Sequence, residues 1–250
     1  MLRKACLATL CSVAAVLAGC SDTTGPQNRA SLSFGTRPSA APAAVVAALS
    51  SAQSTSDAII MGSLVITRVQ LVLRKIELER TGAGDCAGGL NTGDCNEMEL
   101  GPVLVDLPLG TAISTPLSVA IPAGSYKEIE FSIHKVNSGD ASDQAFLQSN
   151  PTFQNVSVRV EGTYLGVAFV FTSTVDAKVE REFQPPLVIG GAAGNITVNV
   201  DVSTWFLTGL GAVIDPTTAN PGGPNESLVA NNIKASFKAF EDDNRDGVHD

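Results

Sequence analysis

Oxygen-bearing side chains recur at every second position near the C-terminal end of the sequence. In the run Asp242-Asp243-Asn244-Arg245-Asp246-Gly247, three alternate positions carry a carboxylate or amide oxygen, and the glycine after them permits a sharp turn. Ca²⁺ prefers oxygen ligands, and a tight loop of this spacing can supply several at once. The metal ligands predicted from this pattern are the side chains of Asp242, Asn244, Asp246 and Asp250 and the main-chain carbonyl of Val248. Calcium is therefore the candidate cofactor.

This spacing resembles the first part of an EF-hand-type or dockerin-type calcium loop. Apolar residues at helical spacing run from Val229 to Phe240, so we expect a helix to lead directly into the loop. No acid follows at the twelfth position of such a loop, since Asp250 occupies the ninth. The resemblance therefore implies modest affinity, at ~0.1–1 mM. A solvated acidic tail is the alternative that the sequence leaves open.

The N-terminal end carries a second chemical feature. Two basic residues precede an apolar run from Ala5 to Leu17, which is too short to cross a bilayer and is typical of a signal-peptide core. The run ends in Leu17-Ala18-Gly19-Cys20, which resembles the lipobox of bacterial lipoproteins. In that family the cysteine is lipidated and becomes the first mature residue. The resemblance implies a membrane-lipid anchor on Cys20, and Ser21 after it favours the outer membrane.

Cys86 and Cys95 are the cysteines left once the leader and the lipidated position are set aside. An even pair in an oxidising compartment predicts a disulfide across the short Gly-rich segment between them. A loop of this length would gain ~2–3 kcal/mol from the bond. Zinc is the weaker alternative, because there is no C-x-x-C pair and neither histidine is near in sequence.

Three further side chains could act in a site only if they are exposed. Trp205 and Phe206 are adjacent aromatics that could form a platform for a sugar or a peptide, although packing of a ring into the end of the domain is favoured. His134 lies on the polar side of a predicted strand, where an exposed structural residue is favoured over a catalytic one.

The sequence predicts an envelope lipoprotein whose domain is non-enzymatic and has either a binding or a structural role. It has no G-x-x-x-x-G-K-[ST] loop, no H-E-x-x-H pair and no G-x-S-x-G nucleophile elbow before a helix. A hydrolase with a carboxylate pair assembled by the fold is the alternative, because such pairs leave no sequence spacing. The formal net charge of −9 lacks the basic footprint of nucleic-acid binding. An envelope protein or a glycan is the expected partner.

Short apolar segments of period two must position these residues. Val69, Leu71 and Leu73 alternate in one phase, and Ile76 and Leu78 continue in the opposite phase. This change predicts a β-bulge at Arg74-Lys75. Further strands are predicted around residues 103–107, 117–121, 129–133, 156–160, 167–171, 175–179 and 196–202. A short helix with Ser142 as its cap is expected within 137–155, and turns at Pro122-Ala123-Gly124-Ser125 and Gly162-Thr163.

The stretch Leu64–Leu78, followed by Ile121-Pro122-Ala123-Gly124-Ser125-Tyr126, resembles bacterial lipoproteins of the domain-of-unknown-function 4382 family. The resemblance covers about residues 60–205 and implies a prealbumin-like sandwich with no established activity. The fold class predicted is mainly β, an antiparallel Ig-like or prealbumin-like β-sandwich with a short C-terminal α-helix. The predicted organisation is a signal peptide (1–19), a lipidated flexible tether (20–57, with a short strand at Leu32–Phe34), a β-sandwich (58–224), and a helix with the acidic tail (225–250).

Overall fold

A computed structural model describes residues 29–36, 58–81, 95–110, 112–120, 124–189 and 194–249. The strands in these ranges are β1 (Arg29–Gly35), β2 (Ile59–Met61), β3 (Leu64–Arg80), β4 (Cys95–Asp106), β5 (Ile113–Ala120), β6 (Gly124–Ile133), β7 (Val158–Tyr164), β8 (Val167–Ser173), β9 (Ala177–Ile189), β10 (Asn195–Val200) and β11 (Phe237–Glu241). The α-helices are α1 (Ala141–Ser149) and α2 (Glu226–Ala235), and short 3₁₀ helices lie at Pro151–Phe153, Val202–Thr204 and Pro216–Ala219.

The strands form two sheets. One sheet has four strands in the order β11-β10-β1-β5. The other has seven, with β8-β7-β3-β6-β9 as its main path and with β2 and β4 paired to β3. Both sheets contribute side chains to one hydrophobic core. The prediction of a mainly-β, two-sheet fold with a short helix near its C-terminus is confirmed.

β3 is the organising strand of the larger sheet. It is 17 residues long, and β2, β4, β6 and β7 all pair with it. Its side chains at 69, 71 and 73 are buried, and burial then resumes at 76 and 78. The register with β4 shifts between Leu73 and Lys75, which confirms the predicted bulge.

The parallel pairing of β1 with β10 was not predicted. Leu32 and Phe34 of β1 are buried in the shared core, and β1 also pairs with β5 in antiparallel fashion. The short strand predicted at Leu32–Phe34 is therefore present, as part of β1, and it belongs to the folded domain. Apolar burial explains this, since each sheet needs a covered face.

A smaller core lies on the other face of β3, under α1. It contains Val72, Val136, Phe153 and Val156, with Phe146 and Leu147 of α1 packed against it. α1 is capped by the side chain of Asp140, which accepts hydrogen bonds from the backbone N–H groups of Ser142 and Asp143. The predicted cap, Ser142, is instead a first-turn residue, because the stronger acceptor lies two residues earlier.

The predicted turn at Gly162-Thr163 is wrong. Both residues lie inside β7, and the hairpin to β8 turns at Leu165 and Gly166, where both φ angles are positive. Gly162 serves a different purpose, since a Cβ there would lie 2.0 Å from the carbonyl oxygen of Val65. A close approach of β3 therefore requires this glycine.

The C-terminal helix ends earlier than predicted. Val229 and Ile233 face the core from α2, but Phe237 begins β11, which pairs in antiparallel fashion with β10. Phe237 follows Ile233 by four residues, a spacing that fits a continued helix as well as a buried first residue of a strand. Residues 237–241 form the strand because they pair with β10. A strand, not a helix, therefore leads into the acidic run.

Candidate functional site

Several predicted site residues fall outside what the structure describes. Cys20, Cys86 and Asp250 lie outside the described residues, and for Cys95 only the backbone, at the start of β4, is described. The lipid anchor and the Cys86–Cys95 disulfide therefore stay predictions. The acidic run itself is described from Asp242 to His249.

Asp242 forms the centre of the acidic turn, defined here as residues 242–248. Its side chain is fully buried. One carboxylate oxygen accepts from the N–H of Asp246 at 2.9 Å, and the other accepts from the N–H of Gly247 at 2.9 Å. Asn244 Oδ1 also accepts from the N–H of Asp246, at 2.8 Å. Positive φ angles at Arg245 and Gly247 allow the chain to fold back over this carboxylate.

Polar side chains of the smaller sheet hold the turn in place. Thr197 Oγ1 donates to Asp242 Oδ2 at 2.7 Å, and Asn195 Nδ2 donates to the carbonyl oxygen of Asp242 at 2.8 Å. The N–H of Asn195 donates to Asp243 Oδ1 at 2.9 Å. Arg245 reaches β1, where its guanidinium donates to Ser31 Oγ at 2.8 Å. The turn is thus bonded to the surface of β10 and β1.

The turn still has oxygen lone pairs to offer a cation. A carboxylate has about four acceptor positions, and Asp242 uses three of them, for Thr197 and two backbone N–H groups. Asp246 Oδ1 accepts from the N–H of Val248 at 2.8 Å, and the rest of its carboxylate is exposed. Within the described ranges, no three His, Cys, Asp or Glu side chains are grouped to hold a metal ion. A cation here would depend on Asn244 and carbonyl oxygens as well.

Trp205 and Phe206 are fully buried, so neither ring is available as a ligand platform. Trp205 Nε1 donates to Ser236 Oγ at 2.8 Å, and Phe206 packs edge-on against Phe171 with ring centroids 5.0 Å apart. The inward packing favoured for this pair is the arrangement the structure shows. Ser236 and Asp242 flank β11, so Trp205 and the acidic turn contact opposite ends of this strand.

A groove of about 710 Å³ opens between β9 and β11, beside the acidic turn. Its lining consists of Glu182, Phe183, Gln184, Pro185, Leu187, Lys238, Ala239, Phe240, Glu241 and His249. The ring of His249 lies 6.3 Å from that of Phe240, so the residues after the acidic turn return to β11. Sequence reasoning missed this groove, because its two walls lie about fifty residues apart in the chain.

His134 occupies a second polar cluster, under α1, and the expectation of an exposed strand residue is wrong. Its Nε2 lies 2.9 Å from both carboxylate oxygens of Asp143, which is fully buried. The N–H of Asn137 donates to the same carboxylate at 2.7 Å, and Arg74 lies 3.8 Å from it. Arg74 also pairs with Asp140 at 3.0 Å. A hydrogen bond from Ser142 and this ion pair hold the pKa of Asp140 well below its usual range.

Glutamates face one another across three strands of the larger sheet. The register places the following side chains opposite each other: Glu79 and Glu128, Glu128 and Glu182, Glu77 and Glu130, and Glu130 and Glu180. Partial burial, with the charges of Glu180 and Glu79, raises the pKa of Glu128. Lys127 and Lys178 offset part of the repulsion through ion pairs of 2.7 Å to Glu79 and 2.8 Å to Glu130.

Comparison of the chain with known protein families, curated proteins and solved structures found no match. In the described part of the chain, no helix combines the length and the apolar character needed to cross a membrane. What the geometry brings together is the acidic turn, β11 and one wall of β9 around a single groove. Of the predicted site residues that the structure describes in full, only those of the acidic turn lie beside it.

Proposed function

We propose that the chain is a lipid-anchored bacterial envelope lipoprotein whose β-sandwich is a non-enzymatic binding domain. The groove between β9 and β11 carries the binding role, because it combines apolar, charged and ring-bearing side chains in a concave surface of ligand size. The Leu17-Ala18-Gly19-Cys20 sequence supports a lipid anchor, and Ser21 supports the outer membrane as its location. A partner in the envelope, either a protein or a glycan, would then meet the groove away from the anchor.

Labelling with radioactive palmitate tests the anchor. Cells expressing the full chain should incorporate label, and the Cys20→Ala variant should not. Label that persists in Cys20→Ala would refute the anchor.

Photo-crosslinking from position 238 on the groove wall tests the binding role, with the same crosslinker at the exposed Leu210 as the matched control. Recovery of the same envelope partners from both positions, or from neither, would refute it.

Calcium at the acidic turn is the second part of the proposal. The support is the unused oxygen acceptors of Asp242 and Asp246 on a turn that hydrogen bonds already hold in shape. Calorimetry of the full chain should show binding in the ~0.1–1 mM range. The heat should be lost in Asp246→Ala and kept in Asp176→Ala, an exposed acid before β9. Absence of heat at millimolar calcium would end this part alone.

Membership of the domain-of-unknown-function 4382 family, with its prealbumin-like sandwich, is proposed on the residues that carry the resemblance. A two-sheet, mainly-β fold supports it, and so does the tyrosine of the quoted motif, because Tyr126 is fully buried on β6. An experimental structure with a strand order different from that of the family would refute the assignment.

An envelope hydrolase is the alternative, and one observation favours it. Glu128 lies opposite both Glu79 and Glu182, and its raised pKa is what a general acid requires. A panel of chromogenic glycosides tests this idea. Turnover by the full chain that disappears in Glu128→Gln would support the hydrolase over the binding role, and absence of turnover on every glycoside would reject it.

A further inference from the structure

We propose that the groove takes an extended basic segment of a partner protein, which adds to the open edge of β11 as a new strand. The inference rests on the proposed binding function and names its ligand class. β11 is the edge strand of the smaller sheet, with β10 on its only paired side among the described strands. An edge strand presents backbone groups that an incoming strand can bond.

The register fixes which groups these are. The N–H of Asp242 donates to the carbonyl of Asn195, and the N–H of Asp201 donates to that of Ser236. Residues opposite each other in an antiparallel pair alternate between bonded and non-bonded, so even-numbered residues of this strand bond β10. Phe237, Ala239 and Glu241 therefore direct their backbone groups away from β10, towards the groove.

The outward carbonyl of Phe237 already accepts a hydrogen bond from a side chain. Arg181 Nε donates to the carbonyl oxygen of Phe237 at 2.6 Å, and its Nη2 donates to that of Lys234 at 3.0 Å. Arg181 thus closes the end of the gap nearest α2. The outward N–H and C=O of Ala239 have no hydrogen-bond partner among the described residues. They lie where the groove is open.

β9 does not compete for this edge. Its register with β6 jumps between Glu182 and Leu187, and the residues between them include Pro185 and Pro186, which have no N–H. Phe183 and Leu187 are buried beneath the wall. The gap therefore has an apolar floor. Its β9 wall cannot pair with a strand at the two prolines, and its β11 wall presents the unbonded backbone groups of Ala239. An extended segment of about four residues, ~13 Å long, would span residues 238–241.

The charges around the groove favour a basic segment. Glu182 and Glu241 line it together with Lys238, Arg181 lies at the end nearest α2, and the acidic turn, with the exposed Asp243 and Asp246, continues from β11. A lysine or arginine side chain of the added strand would lie near carboxylates of both walls. A second copy of this chain would instead bring a like-charged edge. An extended basic peptide therefore fits better than self-association.

Fluorescence anisotropy with a labelled peptide tests the inference on the full chain in detergent. The probe is a capped decapeptide of alternating valine and lysine, and the comparison peptide replaces lysine with glutamate. The lysine peptide should bind at least tenfold more tightly, and N-methylation of alternate residues should abolish binding by removing backbone donors. Equal affinity for the two charge forms, or full affinity of the methylated peptide, would overturn the proposal. So would self-association of the chain that blocks the groove.

Ala239→Pro is the decisive variant. It deletes the outward N–H but no bond to β10, because Ala239 is a non-bonded position. Peptide affinity should fall at least tenfold while the unfolding midpoint stays near that of the wild type. Glu182→Lys should weaken binding at least threefold, and Asp176→Lys, which makes the same charge change outside the groove, should not. Unchanged affinity in both Ala239→Pro and Glu182→Lys would refute the edge site.

The same variant separates this inference from the binding function itself. If crosslinking from position 238 still recovers its envelope partner in Ala239→Pro, the groove binds but not by strand addition. If the wild type recovers no partner and binds no peptide, the binding function fails too.

Discussion

Removal of the Asp242 carboxylate should cost the fold substantial stability, although this residue lies only eight positions from the end of the sequence. The carboxylate is fully buried and accepts three hydrogen bonds, one of them from Thr197, whose own side chain is fully buried. A hydrogen bond to a charged group contributes ~1.5–3 kcal/mol net, and an orphaned buried donor costs ~1–3 kcal/mol. In Asp242→Ala, the N–H of Asp246 keeps its second acceptor on Asn244. The Thr197 hydroxyl and the Gly247 N–H lose theirs.

We therefore expect Asp242→Ala to lower the free energy of unfolding by ~2–4 kcal/mol. For a chain of this size, that corresponds to a fall in Tm of roughly 5–15 °C. Asp246→Ala is the matched control. It loses one exposed bond, to the N–H of Val248, and should cost less than about 1 kcal/mol. Thr197→Val should recover part of the loss when combined with Asp242→Ala, because it removes the orphaned donor.

The protein carries its own probe for this measurement. Trp205 is the only tryptophan and is fully buried, so urea unfolding can be followed by its fluorescence in the full chain. Calcium should be removed with a chelator, so that ligand binding does not contribute. If Asp242→Ala destabilises no more than Asp246→Ala does, the turn is not anchored as its hydrogen bonds indicate.

Three further changes test other parts of the molecule. Glu128→Gln should stabilise the protein at pH 7. Burial and the opposing glutamates raise the pKa of the Glu128 carboxyl in the folded state. The wild type therefore loses stability as the pH rises from 4.5 through that raised pKa, whereas the glutamine variant does not. Its Tm advantage should vanish below pH 4.5, where the wild-type group is protonated, and a gain that persists there would contradict the assignment. Trp205→Phe should cost ~1–3 kcal/mol, because the hydroxyl of Ser236 loses its indole donor and a cavity opens; calorimetric Tm measures it, and an unchanged Tm would refute this packing. His134→Ala should deprive the buried carboxylate of Asp143 of its closest side-chain partner. Hydrogen exchange of the backbone amides should then become faster in α1 than in α2. Equal exchange in both helices would show that the His134–Asp143 pair does not stabilise α1.

The strands were predictable because their core faces repeat with period two. The slip at Arg74-Lys75 is visible in the sequence because one extra residue moves burial from 73 to 76. The pairing of β1 with β10 has no such signal. Ser31 and Asn195 are partners across more than 160 residues, and alternation within a strand states only which face is buried. Which strand pairs with which is decided by the packing of the whole domain, and no single segment of the sequence shows it.

The same distinction explains which parts of the site could be predicted. The acidic turn is contiguous in sequence, so its oxygen spacing was readable directly. His134 continues the polar alternation of Glu128 and Glu130 but comes directly after β6 ends, and nothing local indicated that α1 would cover it and supply Asp143. The groove was hidden for a related reason, since β11 was predicted as the end of a helix and a helix has no open edge to offer.

Because residues 237–241 form a strand that lines the groove, the acidic turn that follows them is directly connected to the groove wall. Asp242 follows β11 directly and is bonded to Thr197 and Asn195 on β10, so the turn and this end of the strand are held to the same neighbour. Beyond the turn, His249 returns to the ring of Phe240 in the groove wall. Any ligand that straightens or tightens the turn must therefore act on the geometry of residues 239–241. Ala239, whose outward backbone groups would hold an added strand, lies in this stretch, so the proposed cation and peptide sites share one structural element.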